Sequence, residues 1–180
     1  MLLEEFDLNK DAIINPDMII EKIENFPDVT VSCFSHYLFD SLLEVFDNKK
    51  ILAEAHSATG ISPIYEVEYE GEKFAFYHSY VGEPSCVGIY EDIIAMGSKN
   101  LILFGNCGVL DKNIEDCGII IPTKAIRDEG TSFYYVPPGD NLDGDTWEPR
   151  SLSGKVKLDK KTKIALFAFE LGLKIKKGEN

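Results

Sequence analysis

NLILFGNCGVLDKNIEDCGIIIPTKAIRDEGTS, residues Asn100 to Ser132, holds two short apolar runs whose reading decides the fold. The first, Asn100 to Phe104, stops abruptly at Gly105-Asn106-Cys107-Gly108, the pattern of a buried parallel strand that ends in a glycine-flanked turn. The second, Gly118-Ile119-Ile120-Ile121-Pro122, is β-branched, too short for a helix and closed by a proline. Two neighbouring core strands are therefore expected. Glycines in the turn after the first strand let a ligand approach backbone N–H groups, which suits an anion or a sugar hydroxyl. That turn is the expected floor of a site.

Upstream, Ser85 to Met96 reads as a helix whose glycine-ended successor leads into the Asn100 strand. Ile61 to Val67 and Lys73 to Tyr77, separated by Glu70-Gly71-Glu72, read as a hairpin. Val29 to Phe34 reads as the first strand, and Ser35 can cap a helix with Leu38, Leu42, Leu43 and Phe46 on one face. Residues 1–26 read as an arm and a helix, capped by Asn15 or Asp17 beside Pro16, striped by Ile19, Ile20 and Ile23, and ended by Pro27-Asp28. Downstream, an acidic, turn-rich loop from Gly139 to Arg150 precedes an amphipathic helix expected over Lys157 to Lys177, whose closing lysines favour the helix dipole. Helices interleaved with short apolar strands predict an α/β fold, three layers α/β/α around a central mixed sheet. Neither a repeat nor a low-complexity linker interrupts it, so residues 1–180 are expected to form one domain.

Composition narrows the function classes. A chain of 180 residues with 44% hydrophobic and 27% charged residues suits one soluble domain with a sizeable core. A formal charge of −13 argues against binding a polyanion such as nucleic acid. No apolar run is long enough to span a bilayer, and Met1-Leu2-Leu3-Glu4-Glu5 carries acid where a signal peptide needs base, so a cytoplasmic protein without a membrane role is expected. Cys33, Cys86, Cys107 and Cys117 sit in or beside apolar runs without the close pairs of a zinc site; reduced core thiols are expected, and no metal.

Five stretches carry a resemblance: GEPSC at Gly82–Cys86, a helix ending in AMGSKN at Ala95–Asn100, LFGNCGVL at Leu103–Leu110, the CGIIIPT strand, and AIRDEGTS at Ala125–Ser132. In this order and spacing, over about Val67 to Pro138, they resemble the nucleoside phosphorylase family of uridine phosphorylases, bacterial purine nucleoside phosphorylases and related nucleosidases. The resemblance implies a phosphorylase/hydrolase-like sheet and cleavage of an N-glycosidic bond, with phosphate as co-substrate, no other cofactor, and assembly into dimers or hexamers. It also implies departures. Family members are longer, and a central segment with the Met-Glu pair that grips ribose has no counterpart here; no Met-Glu dipeptide occurs in the chain. Relatives place an arginine two residues before the glycine turn, where Leu103 or Phe104 stands, and a glycine and an arginine after the first strand, where this chain reads Phe34-Ser35-His36-Tyr37-Leu38. Arg127 and Arg150 are its only arginines.

Residue by residue, the resemblance implies a phosphate site made of Gly105, Asn106, His36 and Arg127. Forked guanidinium donors normally hold phosphate, so their scarcity weakens phosphorolysis, although a protonated imidazole at His36 would return part of the lost charge. Val81, Cys107 and Gly108 are the implied nucleoside contacts, and Asp140 the implied acid that serves the base. Structural roles stand beside each of these. Arg127 can bond Asp128 or Glu129, Asn106 suits a turn, His36 suits a surface, and Asp140 after Pro137-Pro138-Gly139 can cap nearby N–H groups. A noncatalytic nucleoside-binding form and a phosphate-independent nucleoside hydrolase are the alternative functions.

Overall fold

The computed structural model describes residues 12–46, 48–58, 60–106, 124–126, 130–135 and 141–143. Within residues 13–106 the elements run α1 (Pro16–Ile19), β1 (Val29–Cys33), α2 (His36–Val45), β2 (Lys49–Ser57), β3 (Gly60–Tyr69), β4 (Glu72–His78), α3 (Glu83–Met96) and β5 (Asn100–Phe104). Their five strands form one mixed sheet in the order β2-β3-β4-β1-β5. β1 is parallel to both neighbours, with Thr30 opposite Ala75 on one side and Leu101 on the other, while β2, β3 and β4 form an antiparallel meander. The Glu70-Gly71 turn of the expected hairpin has positive φ at both residues, the geometry whose twist suits two antiparallel strands.

Strand alternation sends side chains to two separate cores, one under each helix. On one face, Phe39, Leu42, Leu43 and Phe46 of the α2 segment pack on Val31, Cys33, Val67, Phe74 and Phe76. On the other, Ile89, Ile93 and Met96 of α3 pack on Ile64, Ala75 and Tyr77, with Ala55 and Phe26. The α/β class and the three layers are as the sequence predicts. One local expectation needs correction, and one strand was not anticipated. The helix expected to run on towards Pro27 is one turn long: Ile20 is already extended, and Ile23 donates its N–H to the carbonyl of Met96 at 2.9 Å. Ile20 and Ile23 thus reach the α3 core from extended chain, so their burial does not require a helix. β2 is a strand that periodicity did not suggest, because it lies at a sheet edge with Lys49 and Lys50 exposed and its alternation breaks at a register shift between Ile51 and Ala53.

A polar seam runs through the α3 side. The buried Thr30 and Ser98 hydroxyls are hydrogen-bonded at 2.8 Å, and Ser32 and Tyr90 at 2.5 Å. Beside them the hydroxyl of the fully buried Tyr77 lies near those of Ser79, Ser32 and Tyr90 but makes no aligned hydrogen bond among the described residues, and burial pushes this phenol up to about 12. The two tyrosines should therefore respond differently to loss of the hydroxyl. Tyr90→Phe strands the buried Ser32 hydroxyl and should cost about 1–3 kcal/mol, whereas Tyr77→Phe removes a hydroxyl that makes no aligned hydrogen bond among the described residues and should be neutral or stabilise by up to about 1 kcal/mol. Urea unfolding at neutral pH measures both; equal losses would mean that Tyr77 does have a partner.

A second, smaller unit holds a two-stranded antiparallel ladder of β6 (Lys124–Ile126) and β7 (Asn141–Asp143), and a 3-10 turn at Thr131–Tyr134. The strand expected at Gly118–Pro122 and the helix expected at Lys157–Lys177 lie outside the described residues.

Candidate functional site

The carboxyl ends of the three parallel strands meet at one edge of the sheet, the place where α/β proteins hold their ligands. In register, Cys33 of β1 stands between His78 of β4 and Phe104 of β5, so the segments that follow all three strands leave from this edge. Ser79 fastens it by donating its N–H to the Cys33 carbonyl at 2.9 Å. Between β1 and β5 the edge opens into a groove of about 260 Å³, lined by Cys33, Phe34, Ser35, Leu38, Phe104, Gly105 and Asn106. Ser35 is the N-cap of α2, its hydroxyl accepting from the Leu38 N–H at 3.2 Å. The groove therefore lies against the first turn of a ten-residue helix, where free N–H groups and the dipole favour an anion.

Gly105 suits a tight approach here. A Cβ at this position would come within 2.9 Å of the Phe34 ring, so any larger residue would push that ring aside where the β5 turn closes on the β1 turn. Two of the expected phosphate residues, Gly105 and Asn106, are thus brought together in one groove, with Ser35. His36 begins α2 but lies outside the groove lining; its ring stacks on that of His78, centroids 3.9 Å apart and 21° from parallel. Val81 is 81% exposed, in the turn that leads from β4 into α3. Cys107, Gly108, Arg127 and Asp140 lie outside the described residues. In sequence Arg127 follows Ile126 and Asp140 precedes Asn141, and Ile126 and Asn141 are direct partners in the β6–β7 ladder.

Sequence reasoning missed the contributions of Phe34 and Leu38 as groove walls and the stacking of two histidines far apart in the chain. Only the parallel register of β1 and β4 joins these histidines, and a single-sequence pattern does not encode that register.

The electrostatics of this edge follow from burial. Cys33 is free and buried, its thiol pushed up to about 12 chiefly by desolvation, so it acts as a small apolar wall and not as a nucleophile. Cys86 is likewise free and buried, and its thiol is shifted in the same direction by the same cause. His78 is half-buried, and desolvation holds it below the usual histidine range; the Phe34 carbonyl works against that shift and His36 adds to it. Because its folded value is depressed, His78 contributes stability that is present above about pH 6.5 and lost as pH falls through the folded value. Thermal unfolding of the wild type should therefore lose more on going from pH 7.5 to pH 5 than that of His78→Phe. Identical losses in the two proteins would show that His78 is freely solvated. Among the described residues no cluster of three His, Cys, Asp or Glu side chains is placed to hold a metal, and no helix is long and apolar enough to cross a membrane.

Comparison with known proteins adds an independent line. No protein-family profile matches the chain. It is 33% identical over 69 residues to a uridine phosphorylase of Thermococcus kodakarensis, over 38% of this chain and 25% of that protein. It is 24% identical over 96 residues to a guanosine phosphorylase of Halorubrum lacusprofundi, over 53% of this chain and 38% of that protein. The matches thus span well under half the length of either relative. Among solved structures, the fold is similar to that of a uridine phosphorylase from Vibrio fischeri, with a TM-score of 0.55 at 23% identity over 64% of this chain and 46% of the other. It is also similar to a purine nucleoside phosphorylase from Toxoplasma gondii, with a TM-score of 0.58 at 15% identity over 95% and 80% of the two chains. The fold is thus shared with nucleoside phosphorylases, and part of the sequence is similar to two phosphorylases.

Proposed function

We propose that this chain is a nucleoside phosphorylase-like enzyme, a pentosyltransferase that cleaves a nucleoside reversibly with phosphate. The bond from the sugar C1′ to the base nitrogen breaks, a bond from C1′ to a phosphate oxygen forms, and the base leaves with a proton. What carries this is the groove itself: Ser35, Gly105 and Asn106 share one concavity at the carboxyl ends of adjacent parallel strands, against the first turn of α2. An anion there is favoured by the helix end and by the backbone that glycine leaves accessible. In this reading Gly105, Asn106, His36 and Arg127 hold the phosphate, Val81, Cys107 and Gly108 contact the nucleoside, and Asp140 donates a proton to the departing base. Positive charge that develops on the sugar and negative charge on the base make such an acid useful in the transition state.

No cofactor beyond phosphate is invoked. Residues 1–180 act as one domain, in the cytoplasm, in nucleoside salvage, and the chain associates with itself as a dimer or hexamer. Sedimentation that returns only monomer at micromolar concentration removes that last element. The scarcity of arginine implies slow phosphorolysis. Incubation of the purified protein with uridine, inosine, guanosine and adenosine, with and without phosphate, tests the activity. Base release that requires phosphate is expected. Release without phosphate would make the chain a nucleoside hydrolase, and no release with retained nucleoside binding would make it a noncatalytic binding form.

A further inference from the structure

Two histidines lie face to face at the rim of the groove, one at the first position of α2 and one at the last of β4. His78 is held on several sides. Its Nε2 lies 3.1 Å from the Phe34 carbonyl oxygen, which can only accept, so Nε2 carries the hydrogen and a neutral ring leaves Nδ1 bare. The Phe39 ring meets it edge-on with centroids 5.8 Å apart, and Phe39 is in turn stacked on Phe76 at 4.9 Å. From β3, the Ser62 hydroxyl donates to the His78 carbonyl at 3.0 Å. His36, by contrast, is exposed, and its ring lies against the face of His78.

We propose that His78 is a positioning residue for the anion end of the candidate site, its ring, tied to the Phe34 carbonyl, being the platform on which the His36 imidazole is fixed beside the first turn of α2. The inference rests on the reading of the groove as a phosphate site. A side chain pinned by stacking is already oriented when the anion arrives, so less rotamer freedom is lost on binding. The Phe34 ring borders Gly105 and its carbonyl holds His78, so the same residue links the groove wall to the platform. The titratable groups that face His78 are His36 and Asp40 of α2, with the Cys33 thiol at the end of β1. Two imidazolium rings at this separation repel each other, so the platform serves only while His78 is uncharged. Its half-buried position favours that state near neutral pH.

Two measurements on the full chain test this, one of them independent of any ligand. In histidine ring NMR spectra, the His36 lines should show the ring-current shift of a stacked neighbour at pH 7.5. That shift should be lost in His78→Ala, retained in His78→Phe, and lost at acid pH in the wild type but not in His78→Phe. The second measurement is calorimetric titration with inorganic sulfate, a dianion throughout this range. Binding at pH 7.5 should weaken at least fivefold in His78→Ala and return to within about twofold of wild type in His78→Phe. Unshifted His36 lines in the wild type, or equal sulfate affinity in wild type and His78→Ala, overturn the positioning role. Stacking as described with no sulfate bound by the wild type refutes the phosphate reading and, with it, the role assigned to His78 there.

Discussion

Phe76→Ala should lower the unfolding free energy by about 3–5 kcal/mol, the usual cost of deleting a fully buried aromatic ring. Phe76 is 1% exposed, at the middle of β4 and therefore between β3 and β1. Its ring stacks on Phe39 at 4.9 Å and meets Phe46 edge-on at 5.8 Å, so it is the surface on which α2 rests. An alanine there removes the ring on which Phe39 stacks and one of the two rings that Phe46 meets, and a sheet held in register on both sides cannot move in to fill the space. Set against the 5–15 kcal/mol of net stability that a domain usually has, the loss is a large share of the total. Urea denaturation followed by circular dichroism gives the number. A cost under about 1 kcal/mol would mean that α2 is not packed on this face.

Asp140→Asn should lower the turnover of a nucleoside by about 10²–10⁴-fold, the usual worth of a positioned general acid or base. Asparagine keeps the size and most of the hydrogen bonding of aspartate but has no proton to give, so the substitution separates acid catalysis from shape. Binding should change far less than turnover, because the proton matters only as the base departs. The pH–rate profile should also lose its alkaline limb in the variant. If Asp140→Asn keeps turnover within a few-fold of wild type, another group serves the base, and the assignment of the Gly139–Arg150 loop to this part of the site fails with it.

The chain made its layers legible through features that are local. Ser35 followed by Leu38, Leu42 and Leu43 spells a capped amphipathic helix, and the structure has one. The Glu70-Gly71 pair spells a hairpin, and Phe104-Gly105 marks a strand end. What stayed hidden depends on distant partners. β2 is a strand because β3 offers it an edge, and its lysines and register shift conceal this from any count of alternation. Ile20 and Ile23 suggested a helical stripe because their spacing fits one, yet the end of α3 claims them as extended chain. The groove was half legible. Gly105, Asn106 and Ser35 announce themselves by residue type, while the pairing of His36 with His78 follows only from Cys33 lying opposite His78 in the sheet.

The place of β1 between two parallel neighbours bears on how the chain reaches this structure. Both of its ladders are made with strands far away in sequence, Thr30 with Ala75 and with Leu101, whereas β2, β3 and β4 each find a neighbour across a short turn. Closing long loops costs entropy before any contact repays it, so non-local pairing is slow. The first strand in the chain is therefore among the last to settle: the β2-β3-β4 meander can form early, while β1 and the groove it borders wait for β4 and β5. During that interval the Val31 and Cys33 face of β1 is uncovered, and a growing or refolding chain passes through a state that exposes apolar surface later buried under α2.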